Sequence, residues 1–147
     1  MSFDLFFVSR ERAFQQPSRQ GGAETLGKIA AKYGGEFGKT FSVKLADENW
    51  LEFNCDADGG MLPLRRWDEQ RAEVIFDLLK GCGWVAVSPQ PPLTVFSCAD
   101  SADVAAEIIT DAPHETRVVQ SSRELFEALE ASFGGWAGYR DQVVKGV

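Results

Sequence analysis

The sequence predicts an α+β fold in which helices pack against a largely antiparallel sheet. Short segments that alternate apolar and polar residues, as strands do, are interspersed with segments whose apolar residues recur every three or four positions, as on one helical face. The 147 residues, 44% hydrophobic and 25% charged, are typical of one globular domain. We therefore expect a single domain over residues 1–147.

The N-terminal part contains a predicted strand, a polar loop and a predicted helix. Residues 3–9, FDLFFVS, are aromatic and apolar, which is typical of a strand buried on both faces or nearly so. Residues 10–22 include Pro17 and end in two glycines, which indicates a loop with room for one helical turn. A helix is predicted over 23–33, ending before Gly34, because these apolar side chains share one face: Leu26, Ile29, Ala30 and Tyr33.

Two half-buried strands, a second helix and a fourth strand follow. Residues 40–46 and 49–55 alternate in polarity around a short DEN turn, which predicts an antiparallel hairpin. Residues 56–66 predict a loop, residues 67–80 a helix that glycines terminate, and residues 84–88 a strand. The order strand, helix, strand, strand, helix, strand is that of the split βαβ core of ferredoxin-like domains.

A strand-helix-strand extension is predicted after this core. Residues 93–98 and 116–120 predict strands, and residues 100–109 have helical spacing, with Pro113 beyond their end.

A last helix completes the predicted extension. Ser121 and Glu124 form a Ser-x-x-Glu capping box at its start, and we expect Gly134 and Gly135 to end it. For residues 136–147 the sequence leaves a short docked helix and a loose tail open.

Gly22, Gly27 and Lys28 have the spacing of a phosphate-binding loop, but their context favours a helix. Such a loop follows an apolar strand and places Ser or Thr after the lysine, where this chain has Ile29. Glu24 would place a carboxylate where phosphate must approach. We therefore expect an ordinary amphipathic helix and no nucleotide site.

Asp56 and Asp58 open the segment DADGG, which resembles the start of a calcium-binding loop. Gly60 then occupies the fifth position, where an oxygen ligand is needed, and Trp67 the twelfth, where a bidentate glutamate closes the site. The segment predicts a glycine-containing turn without a metal.

The residues most often used in catalysis are sparse. His114 is the only histidine, and its neighbours Pro113 and Glu115 predict a solvated loop side chain. Cys55, Cys82 and Cys98 are odd in number and widely spaced, which argues against a disulfide framework and a structural zinc site and predicts buried thiols. The sequence therefore offers no catalytic constellation, and we expect neither a cofactor nor a metal.

The net charge of −7 is concentrated in the last two thirds of the chain. Residues 1–50 contain seven basic and six acidic side chains, whereas residues 51–147 contain eight and sixteen. Such a surface repels nucleic acid and anionic lipid and favours a basic partner. No apolar run approaches the roughly 18 residues of a membrane span, and the N-terminus lacks the features of a secretory signal, so we expect a cytoplasmic protein.

The predicted helix 67–80 has one narrow polar stripe, formed by Glu69, Glu73 and Asp77. Most other positions of this helix are apolar: Ala72, Val74, Ile75, Phe76, Leu78 and Leu79. Like charges four residues apart cost roughly 0.2–0.5 kcal/mol per pair, although the N-terminal helix dipole offsets part of this for Asp68 and Glu69. Two interpretations stay open, a solvated helix face and a docking surface for a basic partner.

The opening MSFDLFFVS, at the start of a small acidic α+β chain, resembles a group of uncharacterised bacterial single-domain proteins. Proteins of this size and charge are common among immunity partners of secreted antibacterial toxins. The resemblance implies a non-enzymatic protein-binding module that neutralises a basic toxin. The residues that we predict for such binding are the carboxylates of the second helix and its neighbouring loop: Asp56, Asp58, Asp68, Glu69, Glu73 and Asp77.

The alternative hypothesis is a small-ligand-binding protein or an enzyme that uses a cleft on the sheet. Asp56, Asp58 and His114 are the polar residues that this hypothesis would place in the cleft.

Overall fold

The computed structural model describes residues 3–18, 20–89, 93–108 and 114–145, except for the side chains of residues 132 and 135–145. The described residues form eight strands: β1 (Phe3–Val8), β2 (Glu36–Phe37), β3 (Thr40–Lys44), β4 (Trp50–Asp56), β5 (Gly59–Leu64), β6 (Val85–Ser88), β7 (Thr94–Ser97) and β8 (Glu115–Val118). They also form five α-helices: α1 (Arg10–Ala13), α2 (Gly22–Lys32), α3 (Glu69–Cys82), α4 (Ala102–Ile108) and α5 (Ser122–Lys145). The predicted α+β class is confirmed.

The strands form one sheet in the order β2-β3-β4-β5-β1-β6-β7-β8. Neighbouring strands are antiparallel except β7 and β8, which are parallel and are connected through α4. The largely antiparallel sheet and the C-terminal strand-helix-strand-helix extension are therefore confirmed. The sheet is larger than predicted, because four strands, and not two, lie between α2 and α3.

The strand β5 lies where the sequence predicts a loop, and this prediction is wrong. Leu62 and Leu64 are buried, whereas the alternate residues Met61 and Pro63 are exposed. This alternation is typical of a strand with one covered face. The strand pairs with β1 along its whole length, ending with Phe3 opposite Leu64. The glycines and the proline obscured this pattern in the sequence.

Gly59 explains why a glycine-rich segment belongs in the sheet. Its φ of +130° is a conformation that other residues rarely adopt. A Cβ atom at this position would lie 2.0 Å from the carbonyl oxygen of Phe7, so only glycine lets β5 approach β1 here. The other additional strand, β2, is a two-residue strand that pairs with β3.

Helices cover the two faces of the sheet unequally. One face packs against α2, α3 and α5 and contains the main core, which includes Leu26, Phe41, Ile75, Leu79, Trp84 and Leu125. The opposite face is covered by α1 and α4, where a smaller cluster forms around Val85, Val95, Val104 and Ala105. This second layer reaches β1, β6 and β7, and no described helix covers the same face of β3, β4 and β5.

The predicted boundaries of α2 and α3 agree with the structure to within two residues. Gly22, Gly27 and Lys28 all lie in α2, and Lys28 forms an ion pair with Glu24, which confirms the helical interpretation. The third helix is capped by Asp68, and Gly83 ends it with a φ of +66°.

The predicted end of the last helix is wrong. α5 continues past Gly134 and Gly135 to Lys145, and residues 146–147 lie outside the described residues. At its start, Ser121 Oγ accepts a hydrogen bond from the amide of Glu124, as the capping box predicts. The Glu124 carboxylate accepts from the amide of Gln120, one residue before the predicted donor.

Truncation of a buried leucine of α3 tests how the helix packs. Leu79 is 0% exposed in the main core. We expect Leu79→Ala to lower the free energy of unfolding by about 2–5 kcal/mol, as measured by urea denaturation, because a cavity replaces the lost side chain. Lys80→Ala, at an exposed position of the same helix, is the matched control and should change stability by less than about 0.5 kcal/mol. Equal effects of the two substitutions would contradict the packing described here.

Candidate interaction surface

The acidic stripe lies on α3, but one of its three carboxylates is largely withdrawn from solvent. Glu69 and Glu73 are exposed, whereas the Asp77 side chain is 23% exposed. Glu69 forms an ion pair with Arg123 of α5, and Asp77 accepts a hydrogen bond from Lys32 Nζ of α2 at 2.8 Å. The ends of the stripe therefore connect α3 to its two neighbouring helices. The prediction of three solvent-facing carboxylates is wrong for Asp77.

Asp77 also accepts a hydrogen bond from the Tyr33 hydroxyl group at 2.5 Å. Burial of the phenol and this hydrogen bond raise the pKa of Tyr33 above its ordinary value, and the Glu73 carboxylate adds to the effect. The negative charges of α3 thus hold the Tyr33 proton in place, and Asp77 belongs to the contact between α2 and α3.

Asp68 has a structural role at the start of α3. Its carboxylate accepts a hydrogen bond from the amide of Arg71 at 2.8 Å and forms an ion pair with the guanidinium group of the same residue. Arg71 is only 5% exposed. A buried charge is costly unless it is paired. Asp68 is therefore needed to neutralise Arg71.

Asp56 ends β4 and Asp58 lies in the turn between β4 and β5, so the predicted turn is present, although its glycines belong to β5. Asp56 accepts a hydrogen bond from the Asp58 amide at 2.8 Å. The Asp58 carboxylate accepts from the hydroxyl groups of Ser9, at 3.3 Å, and Ser18, at 2.6 Å. Asp58 therefore connects this hairpin to the segment around α1. Within the described residues, no group of histidine, cysteine and acidic side chains is arranged to hold a metal ion.

The polar residues that the alternative hypothesis would place in a cleft do not come together. His114 immediately precedes β8 at one edge of the sheet, whereas Asp56 and Asp58 lie at the β4–β5 hairpin, with β1, β6 and β7 between. His114 lies outside helices and strands, as predicted, but its side chain is half-buried and less solvated than the sequence predicts. No single site contains all three residues.

The three cysteines form no disulfide with any described residue and are half-buried, so they are less buried than the sequence predicts. Burial raises the pKa of Cys55 to about 12, and the pKa of Cys98 is also raised by burial. Both thiols are therefore protonated at neutral pH, which is unfavourable for a nucleophile.

Three large apolar side chains are exposed on the face of the sheet opposite the main core. Phe6 is 39% exposed, Met61 44% and Trp50 55%. Phe6 lies directly opposite Met61 in the pairing of β1 with β5. We call the surface formed by Phe6, Trp50 and Met61 the Trp50 face.

An acidic depression of about 400 Å³ adjoins Trp50 on one side. It is lined by residues around β2, β3 and β4: Gly34, Gly35, Glu36, Ser42, Trp50 and Glu52. Ser42 lies opposite Glu36 on one neighbouring strand and opposite Glu52 on the other, so the two carboxylates project from the same face. Neither forms an ion pair with any residue that the structure describes.

A pocket of about 320 Å³ adjoins Trp50 on its other side, where β4 and β5 separate. Register pairs join these two strands only beside their turn, Cys55 with Gly60 and Asp56 with Gly59. Toward the other end the strands diverge, and the pocket lies between them. Eight residues, three of them arginines, line it: Asn49, Trp50, Leu51, Pro63, Leu64, Arg65, Arg66 and Arg71. We call it the splayed-strand pocket.

Sequence reasoning did not identify Trp50, although a signal was present. In the segment NWLEFNC, Trp50 is in phase with Glu52 and Asn54, on the polar side of the predicted strand. A large aromatic residue on the solvent side of a strand is a reason to expect a binding surface.

Comparisons of the chain with protein-family models, with curated proteins and with solved structures give no match. Among the described helices, none has the length and apolar character needed to cross a membrane.

The contact of Tyr33 with Asp77 predicts a specific loss of stability in alkali. The unfolded chain releases the Tyr33 proton near pH 10, whereas the folded protein retains it to higher pH. Above about pH 10 the unfolded state therefore binds fewer protons, and the free energy of unfolding falls as pH rises. We expect Tyr33→Phe to be about 1–2 kcal/mol less stable than the wild type at neutral pH, with a difference that shrinks above about pH 10. A constant difference up to about pH 11.5, by urea denaturation, would contradict this assignment.

The hydrogen bonds of Asp58 predict a structural penalty for its removal. Asp58→Ala leaves the buried Ser9 hydroxyl without its carboxylate acceptor. We expect a loss of about 1–3 kcal/mol in the free energy of unfolding. Glu107→Ala removes an exposed carboxylate from α4 and should be nearly neutral in the same assay. A neutral Asp58→Ala would show that this turn does not hold the α1 segment.

Proposed function

We propose that the protein is a non-enzymatic protein-binding module that docks a basic protein on the Trp50 face. The observation that supports this most directly is the exposure of Phe6, Trp50 and Met61 on the face of the sheet opposite the main core. Phe6 and Met61 are direct neighbours in the pairing of β1 with β5, and exposed apolar side chains that lie together often mark an interaction surface.

The residue types of the Trp50 face suit a protein partner. Tryptophan, phenylalanine and methionine are enriched at the centres of protein interfaces, and tryptophan often contributes a large share of the binding energy. Trp50 retains more than half of its accessible surface, 55%, for a partner to cover. Its position on β4 within the sheet holds its backbone in place, so little ordering is needed on binding.

The charges beside Trp50 favour a basic partner. Glu36 and Glu52 line the acidic depression without an ion pair in the described chain, so lysine or arginine side chains of a partner can neutralise them directly. The net charge of −7 adds long-range attraction for a basic protein. An apolar centre with acidic residues at its side is therefore complementary to an apolar patch surrounded by basic residues.

The biological role that we propose is neutralisation of a basic toxin in the cytoplasm, as in immunity proteins. The support is the resemblance of the opening MSFDLFFVS, the acidic composition and the Trp50 face. Such a role requires only that the protein occupies a surface of the toxin and needs no catalytic group.

The carboxylates of α3 offer a second docking surface, but the Trp50 face is the better candidate. Glu69 and Asp77 already have cationic partners in Arg123 and Lys32. A basic partner would have to replace these ion pairs, which reduces the net gain of the new contacts. Binding to Glu36 and Glu52 would not require any described ion pair to be replaced.

For the fold, we propose that β4, β5, β1 and β6 together with α2 and α3 form a ferredoxin-like unit into which the strands β2 and β3 are inserted. The strand order β4-β5-β1-β6 and the position of α3 between β5 and β6 support this assignment.

Binding measurements on paired variants test the docking surface. The candidate partners are the basic proteins encoded beside the gene, each purified and titrated by calorimetry. We expect one of them to bind, and Trp50→Ala to weaken its binding by about 2 kcal/mol or more, roughly 30-fold. Glu52→Lys should weaken it most at low salt, because salt screens the charge interaction.

Two controls separate the possible surfaces. Val118→Ala truncates a side chain that is 46% exposed on β8, far across the sheet, and should leave affinity unchanged. Glu69→Lys with Glu73→Lys should likewise retain binding. If this double variant loses the partner while Trp50→Ala keeps it, the docking surface is the acidic face of α3. If none of these basic proteins binds, the proposed role is wrong.

A further inference from the structure

We propose that the splayed-strand pocket binds a small organic anion, with a carboxylate or phosphate group held by Arg65 and Arg66 and a flat apolar part against the indole of Trp50. This inference goes beyond the proposed protein-binding function. It concerns a ligand of opposite charge, in a pocket on the other side of Trp50 from the acidic depression.

The pocket is formed by the backbone. Because β5 remains paired with β1 from Gly59 to Leu64 while β4 remains paired with β3 from Trp50 to Asn54, each strand is held by a different neighbour. The divergence of β4 from β5 is therefore a fixed feature of the sheet. The resulting volume of about 320 Å³ is within the size range of small-ligand sites.

The lining combines an apolar base with polar groups at the exterior. Leu51 and Leu64 are 4% and 2% exposed, so the part of the pocket that they line is apolar. Trp50, Arg65 and Arg66 are exposed. More of the lining is polar than apolar, and the polar groups are the ones that would orient a charged ligand.

The cationic character of the pocket contrasts with the rest of this acidic protein. Arg71 is paired with Asp68 and lies 3.4 Å from Asp47, and Arg66 lies 3.6 Å from the same Asp47 oxygen. Arg65 has no ion pair in the described part of the chain. Only two carboxylates therefore neutralise the three guanidinium groups, which leaves a net positive charge at the pocket.

Asp47 neutralises the arginines only loosely. Its oxygen lies 3.4–3.6 Å from the nitrogens of Arg66 and Arg71, whereas charge-assisted hydrogen bonds have lengths of about 2.7–2.9 Å. The donors of Arg65 and Arg66 thus remain available for a second oxyanion. Arg71 is buried and has its own partner in Asp68, so we assign it a positioning role for Asp47 and Arg66.

The residue types define the ligand class. A guanidinium group presents a planar set of donors that matches carboxylate and phosphate oxygens, and an indole face packs against flat rings. Benzoate and phenyl phosphate are probes that carry each kind of head group on the same ring. Benzyl alcohol has the ring and no charge, and is the matched neutral control.

The test follows the indole N–H resonance of Trp50 by nuclear magnetic resonance, assigned with Trp50→Phe, during titration at constant ionic strength. We expect saturable shifts with benzoate or phenyl phosphate and none with benzyl alcohol. Arg65→Gln with Arg66→Gln should weaken binding about ten-fold or more, because charged hydrogen bonds are lost. Arg12→Gln with Arg117→Gln removes the same charge from exposed positions elsewhere and should leave affinity within about two-fold.

Several results would overturn the inference: no saturable shift with either anion, equal affinities of the two double variants, or equal binding of benzyl alcohol. Melting temperatures verify that both double variants fold. The proposed protein-binding function can fail independently, since Arg65→Gln with Arg66→Gln leaves Trp50, Glu36 and Glu52 intact. This variant should lose the anion and keep the protein partner.

Discussion

The packing of Phe7 is the interaction on which the arrangement of the sheet depends. Its ring centroid lies 5.6 Å from that of Phe53 and 5.4 Å from that of Trp84, and Phe41 continues the cluster 5.5 Å from Phe53. These rings join β1 to β3, to β4 and to the start of β6 beneath the layer formed by α2, α3 and α5. Because side chains alternate along a strand, the burial of Phe7 turns Phe6 to the opposite face, where it is 39% exposed.

The unequal coverage of the sheet connects this packing to binding. Three helices cover one face across its width, whereas α1 and α4 protect the other face only near β1, β6 and β7. An eight-stranded sheet therefore leaves apolar surface exposed beside β3, β4 and β5. Trp50 and Met61 lie there, and Phe6 adjoins Met61, all on backbone that pairs with neighbouring strands, so the Trp50 face is preformed and need not fold on binding.

The acidic residues fall into two groups, those that stabilise the fold and those that are available to a partner. Asp58, Asp68 and Asp77 hold turns and helices in place through hydrogen bonds to hydroxyl, amide and phenol groups. Glu36 and Glu52 make no such contacts within the described chain and face the acidic depression. Trp50 lies between this depression and the arginine-lined pocket, so it separates two surfaces of opposite charge that can take different ligands. The acidic composition alone does not reveal this separation.

The sequence by itself determined the α+β class, the helix over the glycine-lysine segment, the β3–β4 hairpin and the largely apolar character of α3, because each follows from local periodicity or capping. Tertiary structure decided the rest. Only the approach of β1 shows that Gly59 begins a strand, and only the neighbouring helices show that Asp77 is engaged by Lys32 and Tyr33. The pocket near Trp50 depends on two strands held by different neighbours, and residues as far apart as Asn49 and Arg71 line it. Such long-range pairing leaves no periodic signal in a single sequence, which is why the pocket could not be predicted, whereas the phase of Trp50 with Glu52 and Asn54 could have indicated its exposure.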